Sequence, residues 1–171
     1  MSIRIIKKIL ILSLFCFTFG ALSAEEDLKS VGKFKDWESF VLSQDGNKTC
    51  FAQSIPVVRA PKKLKRDPSR LFVSFRPAEN IKNEVSVTNG YDFKLKAPVT
   101  AKSGKKSYDL FSKGQFAWVV DNKDEQKLIV TMKKASRLMI LGNTEKGNQT
   151  TDHYSMMGFT KAYNSAKKNC S

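Results

Sequence analysis

Along most of the chain, apolar residues recur at every second position. That is the period of a strand with one buried face. FKDWESFVLS (34–43) reads as a first strand carrying Trp37, and QDGNK after it as a turn. TCFAQSIPVV (49–58) reads as a second strand carrying Cys50, with Pro56 bending it or confining its end to an edge. RLFVSFR (70–76) puts Leu71, Val73 and Phe75 on one face. In EVSVTNGYDFKL, a two-residue Asn89-Gly90 turn would leave the apolar residues of its two arms on opposite faces. A three-residue loop, Thr88-Asn89-Gly90, sets Val87 opposite Tyr91 and Val85 opposite Phe93, with Gly90 left-handed, and that hairpin is the expectation. Ser107–Phe111 and Gln115–Val120 add two strands, the second with Phe116, Trp118 and Val120 on one face. Asp121–Glu125 reads as a polar turn. Lys127–Lys133 and Ser136–Leu141 then read as successive strands of a meander, the first with Leu128, Val130 and Met132 on one face. Glu25–Val31 is a loose lead-in, and Asn148–His153 a last edge strand or a loop.

The period changes at the C-terminus. Met156, Phe159, Tyr163 and Ala166 recur at three- and four-residue spacing, Ser155 is placed to cap, and Lys167 and Lys168 suit the negative end of the helix dipole. The pattern predicts an all-β fold: an antiparallel β-sandwich or flattened barrel with one C-terminal α-helix packed on it. Trp37 and Trp118, each on an alternating strand, are expected in the core.

The first residues change the picture of where the chain works. MSIRIIKKILILSLFCFTFGALSA has a basic start (Arg4, Lys7, Lys8), an apolar run too short to span a membrane, and small residues before Glu25. It reads as a cleaved secretory signal peptide over 1–24, leaving a single β domain over 25–171 with no further transmembrane segment. Thirty Lys and Arg against sixteen Asp and Glu give a formal charge of +14; without Arg4, Lys7 and Lys8 it is +11. Such a field favours anionic partners without naming one. Export also removes Cys16. The two remaining cysteines allow one intramolecular pairing, Cys50 with Cys170, and an oxidising compartment favours it. A pair of free thiols, or a nucleophilic cysteine, is the rival reading.

Candidate chemistry is sparse. The sole histidine, His153, follows Asp152, and neighbours on a strand point to opposite faces, so the two form no local relay. No zinc ligand set and no phosphate-binding glycine loop are evident, so neither metal nor cofactor is expected. The most pointed charged feature is APKKLKRDPSR. Lys62, Lys63, Lys65, Arg66 and Arg70 form either a solvated loop or a docking patch for an anionic partner. That partner would be a lipid headgroup, a lipopolysaccharide phosphate or an acidic protein; nucleic acid does not suit an exported chain. Lys102, Lys105 and Lys106 around Gly104 offer an extension of the patch.

The closing GNQTTDHYSMMGFTKAYNSAKKNC resembles the C-terminal signature of the invasion-associated locus B proteins, through Gly147, Thr150, Asp152, Tyr154, Ser155, Met156, Gly158, Phe159, Ala162 and Cys170. FKDWESF resembles that family's opening, with Lys35 where a glycine is common, and Cys50-Phe51-Ala52 its second-strand cysteine. AWVV and MKKASRLMILG fit its middle. Many members carry another cysteine in the first strand; this chain has none between Trp37 and Cys50. The resemblance implies an exported Gram-negative bacterial protein, in the periplasm, associated with the outer membrane, or secreted. It implies no established molecular activity and no catalytic residues. The expectation is a non-enzymatic envelope-binding module. A surface-associated host-cell invasion or adhesion accessory, or an enzyme of unknown type, is the alternative.

Overall fold

The computed structural model describes residues 27–171; the leader reading, its cleavage point and Cys16 lie outside the described residues. Eleven antiparallel strands form one open sheet. In chain order they are β1 (Asp27–Phe34), β2 (Trp37–Gln44), β3 (Asn47–Ser54), β4 (Val58–Ala60), β5 (Arg70–Arg76), β6 (Ile81–Thr88), β7 (Val99–Ser103), β8 (Lys106–Lys113), β9 (Phe116–Val119), β10 (Arg137–Asn143) and β11 (Gln149–Ser155). Two helices join them, α1 (Asn122–Lys134) and α2 (Phe159–Asn169). The strand order is β1-β2-β3-β5-β6-β9-β8-β7-β10-β11-β4.

The sheet curls so that its two halves face each other as in a sandwich. The Trp37 indole N–H donates to the Ser155 carbonyl at 2.8 Å, and the Val57 N–H donates to His153 at 2.8 Å, joining the β2–β3 side to β11. Strand alternation sends Ala52, Leu71, Val73, Val85, Val87 and Ala117 into the concave face, where they are buried. Both helices cover that face. Phe159 of α2 packs on Trp37 with ring centroids 4.8 Å apart, and Tyr163 meets Phe75 at 5.3 Å. Gly158 starts α2 with φ +93°, and a Cβ there would lie 1.8 Å from the Phe34 carbonyl oxygen, so only glycine lets the helix close on the β1–β2 turn.

The expected all-β sandwich with a C-terminal helix is present, and several local expectations need correction. Residues 121–134 are not a turn followed by a strand. Asp121 caps α1 by accepting the Lys123 N–H, Asp124 and Glu125 fill its first turn, and Lys133 and Lys134 its last. Leu128, Ile129 and Met132 are buried at helical spacing, and Val130 faces solvent. The apolar LIV run is short enough to suit either period, and the end charges decide for the helix. The Thr88-Asn89-Gly90 hairpin does not form. β6 pairs with β5 and β9, and the chain then leaves the sheet, although Gly90 does take φ +73°. Residues 27–31 belong to β1, not to a loose lead-in, and β11 is interior because β4 pairs beyond it. Ser155 ends β11 and does not cap α2. Trp118 lies on the convex face, half-buried, while Trp37 is in the core as expected.

The Cys50–Cys170 disulfide is formed, with a Cα–Cα distance of 5.8 Å, and ties β3 to the end of α2 across 120 residues. Closing a loop of that length removes about 4–5 kcal/mol of unfolded-state freedom. Replacing Cys170 by serine is expected to lower unfolding stability by a few kcal/mol. Urea titration with and without reductant checks this: the two curves should separate for the wild type and coincide for Cys170→Ser.

Candidate functional site

The segment that carries the basic run crosses from β4 to β5 over one end of the curled sheet. It is anchored from inside. Arg66 makes a fork-to-fork pair with Asp152 of β11, one bond measuring 2.8 Å and the other shorter, and both side chains are sealed from water, at 2% and 0% exposure. The same guanidinium donates to the Asn89 carbonyl at 3.0 Å and lies 5.8 Å from the centre of the Tyr91 ring. Burial raises the Tyr91 pKa, so its phenol stays protonated against Thr150, 2.5 Å away. Arg59 of β4 holds the main-chain carbonyl of Asp67, and the Asp67 N–H donates to Gly90 at 3.0 Å. A Cβ on Gly90 would stand 2.0 Å from the Asp67 oxygen, so the two backbones touch because residue 90 is glycine.

This anchor divides the five basic residues named from the sequence. Arg66 is withdrawn from the surface: its charge is met by Asp152 inside the fold. Lys62, Lys63 and Lys65 are exposed. Lys62 and Lys63 occupy the middle of a turn closed by the Leu64 N–H on the Pro61 carbonyl at 3.2 Å. Arg70 is half-buried at the start of β5, where the register runs Arg70, Thr88, Phe116, Lys113 across four strands.

Three further connections meet at the same end. The Phe93 N–H donates to Gly114 in the β8–β9 turn at 2.9 Å, and the Lys94 N–H donates to Asn143 at 2.8 Å. This end therefore gathers Lys94, Lys96, Lys113 and Lys146 beside the basic loop, with Asp67, Asp92 and Glu145 as the acids of the same four connections. The other lysine cluster does not extend it. Lys105 and Lys106 sit at the β7–β8 turn, and β8 runs its whole length between them and Lys113, roughly 24 Å.

Asp152 faces the interior and pairs with Arg66, while His153 is aligned with Met139 and Val58. Among the described residues no three His, Cys, Asp or Glu side chains are grouped to hold a metal ion, and no helix is long and apolar enough to cross a membrane.

No protein-family profile and no curated protein matches this chain. A solved structure does. The crystal structure of invasion associated protein B from Bartonella henselae superposes with a TM-score of 0.54, covering 80% of this chain and 94% of that one, at 13% identity. This chain has the fold of that protein. The likeness speaks to architecture, and it agrees with the resemblance read from the two ends of the sequence.

The Arg66–Asp152 pair generates a test. Asp152→Ala leaves a buried guanidinium without a counter-charge and is expected to cost about 3–5 kcal/mol. The double change Arg66→Met, Asp152→Leu removes both charges and is expected to cost less than Asp152→Ala alone. Urea unfolding of the variants measures this; additive losses under about 1 kcal/mol each would describe an exposed pair instead.

Proposed function

We propose that this chain is an exported, non-catalytic binding module of the invasion-associated locus B type, whose cationic loop end docks on an anionic component of the bacterial envelope. The observation that carries the reading is the division of labour in the basic run. Arg66 is spent inside, and by fixing the segment it holds Lys62, Lys63 and Lys65 outward in one place. A loop of merely solvated lysines needs no such anchor. The disulfide supports an oxidising compartment, and the periplasm is the location that suits both the leader and the charge. Lysines near an anionic surface contribute about 1 kcal/mol each and weaken with salt, so this site binds through several contacts and no deep pocket.

Capture from the cell's own envelope extract tests the reading. The triple change Lys62→Gln, Lys63→Gln, Lys65→Gln is expected to weaken retention of the partner about a hundredfold at low salt. Lys102→Gln, Lys105→Gln, Lys106→Gln, at the opposite end, should leave it unchanged. Equal capture by the wild type and the first variant would overturn the assignment of the loop.

A further inference from the structure

The cationic end also exposes apolar side chains that neither helix covers. Leu95 is 80% exposed, Phe111 59% and Phe116 43%. Leu95 stands at the tip of a β-turn closed by the Ala97 N–H on the Lys94 carbonyl at 3.1 Å. Beside it Lys96 holds φ 61°, a left-handed conformation that suits glycine better, so a cation is kept next to Leu95 at some conformational cost. Phe111 lines one shallow depression with residues 95–98. In register, Trp118 lies opposite Phe111 and Phe116 opposite Lys113, and Phe116 stacks with Trp118 at 5.9 Å.

From there an aromatic stripe runs back over the convex face. Ser86 lies between Trp118 and Phe72 in register and is buried although it points away from the core, with an aromatic residue on either side. Phe72 meets Phe51 edge-on at 6.0 Å, and Phe51 stacks with Phe40 at 5.2 Å. Its exposed end is Leu and Phe, side chains with no polar tip, and lysines outnumber acids around it, with Lys94, Lys96 and Lys113 against Asp92 and Asp109. Lysine is depleted at the cores of protein–protein interfaces. At a bilayer surface the same combination is favourable, because apolar side chains enter the boundary below the headgroups while lysine stems reach back to anionic ones.

We infer that this end docks on an anionic phospholipid bilayer. Leu95, Phe111 and Phe116 enter the boundary between headgroups and acyl chains, and Lys94, Lys96 and Lys113 stay at headgroup level. The inference rests on the anionic-docking reading above and names its partner. Charge brings the chain to the surface, and the apolar tip holds it there when salt rises.

The chain's two tryptophans provide the readout, since Trp37 is 1% exposed and Trp118 stacks on Phe116 and lies opposite Phe111. The chain recovered from the cells that export it is mixed with vesicles of phosphatidylcholine and phosphatidylglycerol carrying brominated acyl chains. Emission is expected to be quenched, and quenching is expected to vanish in Trp118→Phe, which keeps Trp37. Pure phosphatidylcholine vesicles should give no quenching. The double change Leu95→Ser, Phe111→Ser, checked for native near-ultraviolet dichroism, should weaken binding to the anionic vesicles by about tenfold or more. Every variant is recovered in the same way, so all share one N-terminus. A bound chain whose Trp118 escapes quenching would overturn the inference, as would unchanged affinity in the double variant. So would self-association through Leu95 and Phe111 without vesicle binding. If the Lys62, Lys63, Lys65 variant loses binding and the Leu95, Phe111 variant does not, anionic docking stands and the bilayer inference falls. If the dependence is the reverse, the loop assignment falls and the bilayer inference stands.

Discussion

A guanidinium sealed from water needs a counter-charge and hydrogen-bond acceptors, and here that requirement joins segments 86 residues apart. Arg66 sits in a run whose lysines are all exposed, and Asp152 on the inward face of β11 with buried Thr150 and Tyr154. Satisfying the pair pulls residues 61–69 down over the end of the curled sheet. Once there, the segment has its main chain occupied by Arg59 and Gly90, and its lysines have nowhere to point but outward. A buried ion pair is weak evidence for stability, since apolar residues of similar size often do as well. What it supplies is registration: one loop, in one place, with one set of charges displayed.

The rest of the structure keeps that end in order. The disulfide fastens the last helix to β3, and α2 packs its aromatic face on Trp37 and Phe75. With the concave face filled by the two helices, the convex face and the loop ends are what the fold presents to a partner. The lysines are not spread evenly over those surfaces. Those of the loop end lie with exposed Leu95, Phe111 and Phe116, whereas Lys105 and Lys106 occupy the far turn of β8.

How much of this could be read from the sequence depended on the range of the determining interaction. β5 was legible residue for residue, because RLFVSFR alternates cleanly between Leu71, Val73 and Phe75. The disulfide followed from having two cysteines to pair. α1 was misread because KLIVTMK satisfies a two-residue period as well as a helical one over so short a stretch; Asp121, Asp124 and Glu125 ahead of it were the signal that decides, and they looked like a turn. The Asn89-Gly90 hairpin failed because β6 finds better partners in β5 and β9, which local pairing cannot foresee. Arg66 was grouped with its basic neighbours for the same reason: nothing nearby marks it as the one residue of the run with a partner 86 positions away. The aromatic stripe was hidden too. Phe40, Phe51, Phe72 and the Phe116–Trp118 pair sit on four different strands and join only when the register is set.

The proposed working surface is the loop end. Hydrogen–deuterium exchange on the chain, with and without its own envelope membranes, tests it most directly. Amides of residues 61–69, 94–97 and 113–116 are expected to gain protection together, while 103–106 at the opposite end exchange unchanged. Protection confined to 103–106, or protection nowhere, would contradict the claim.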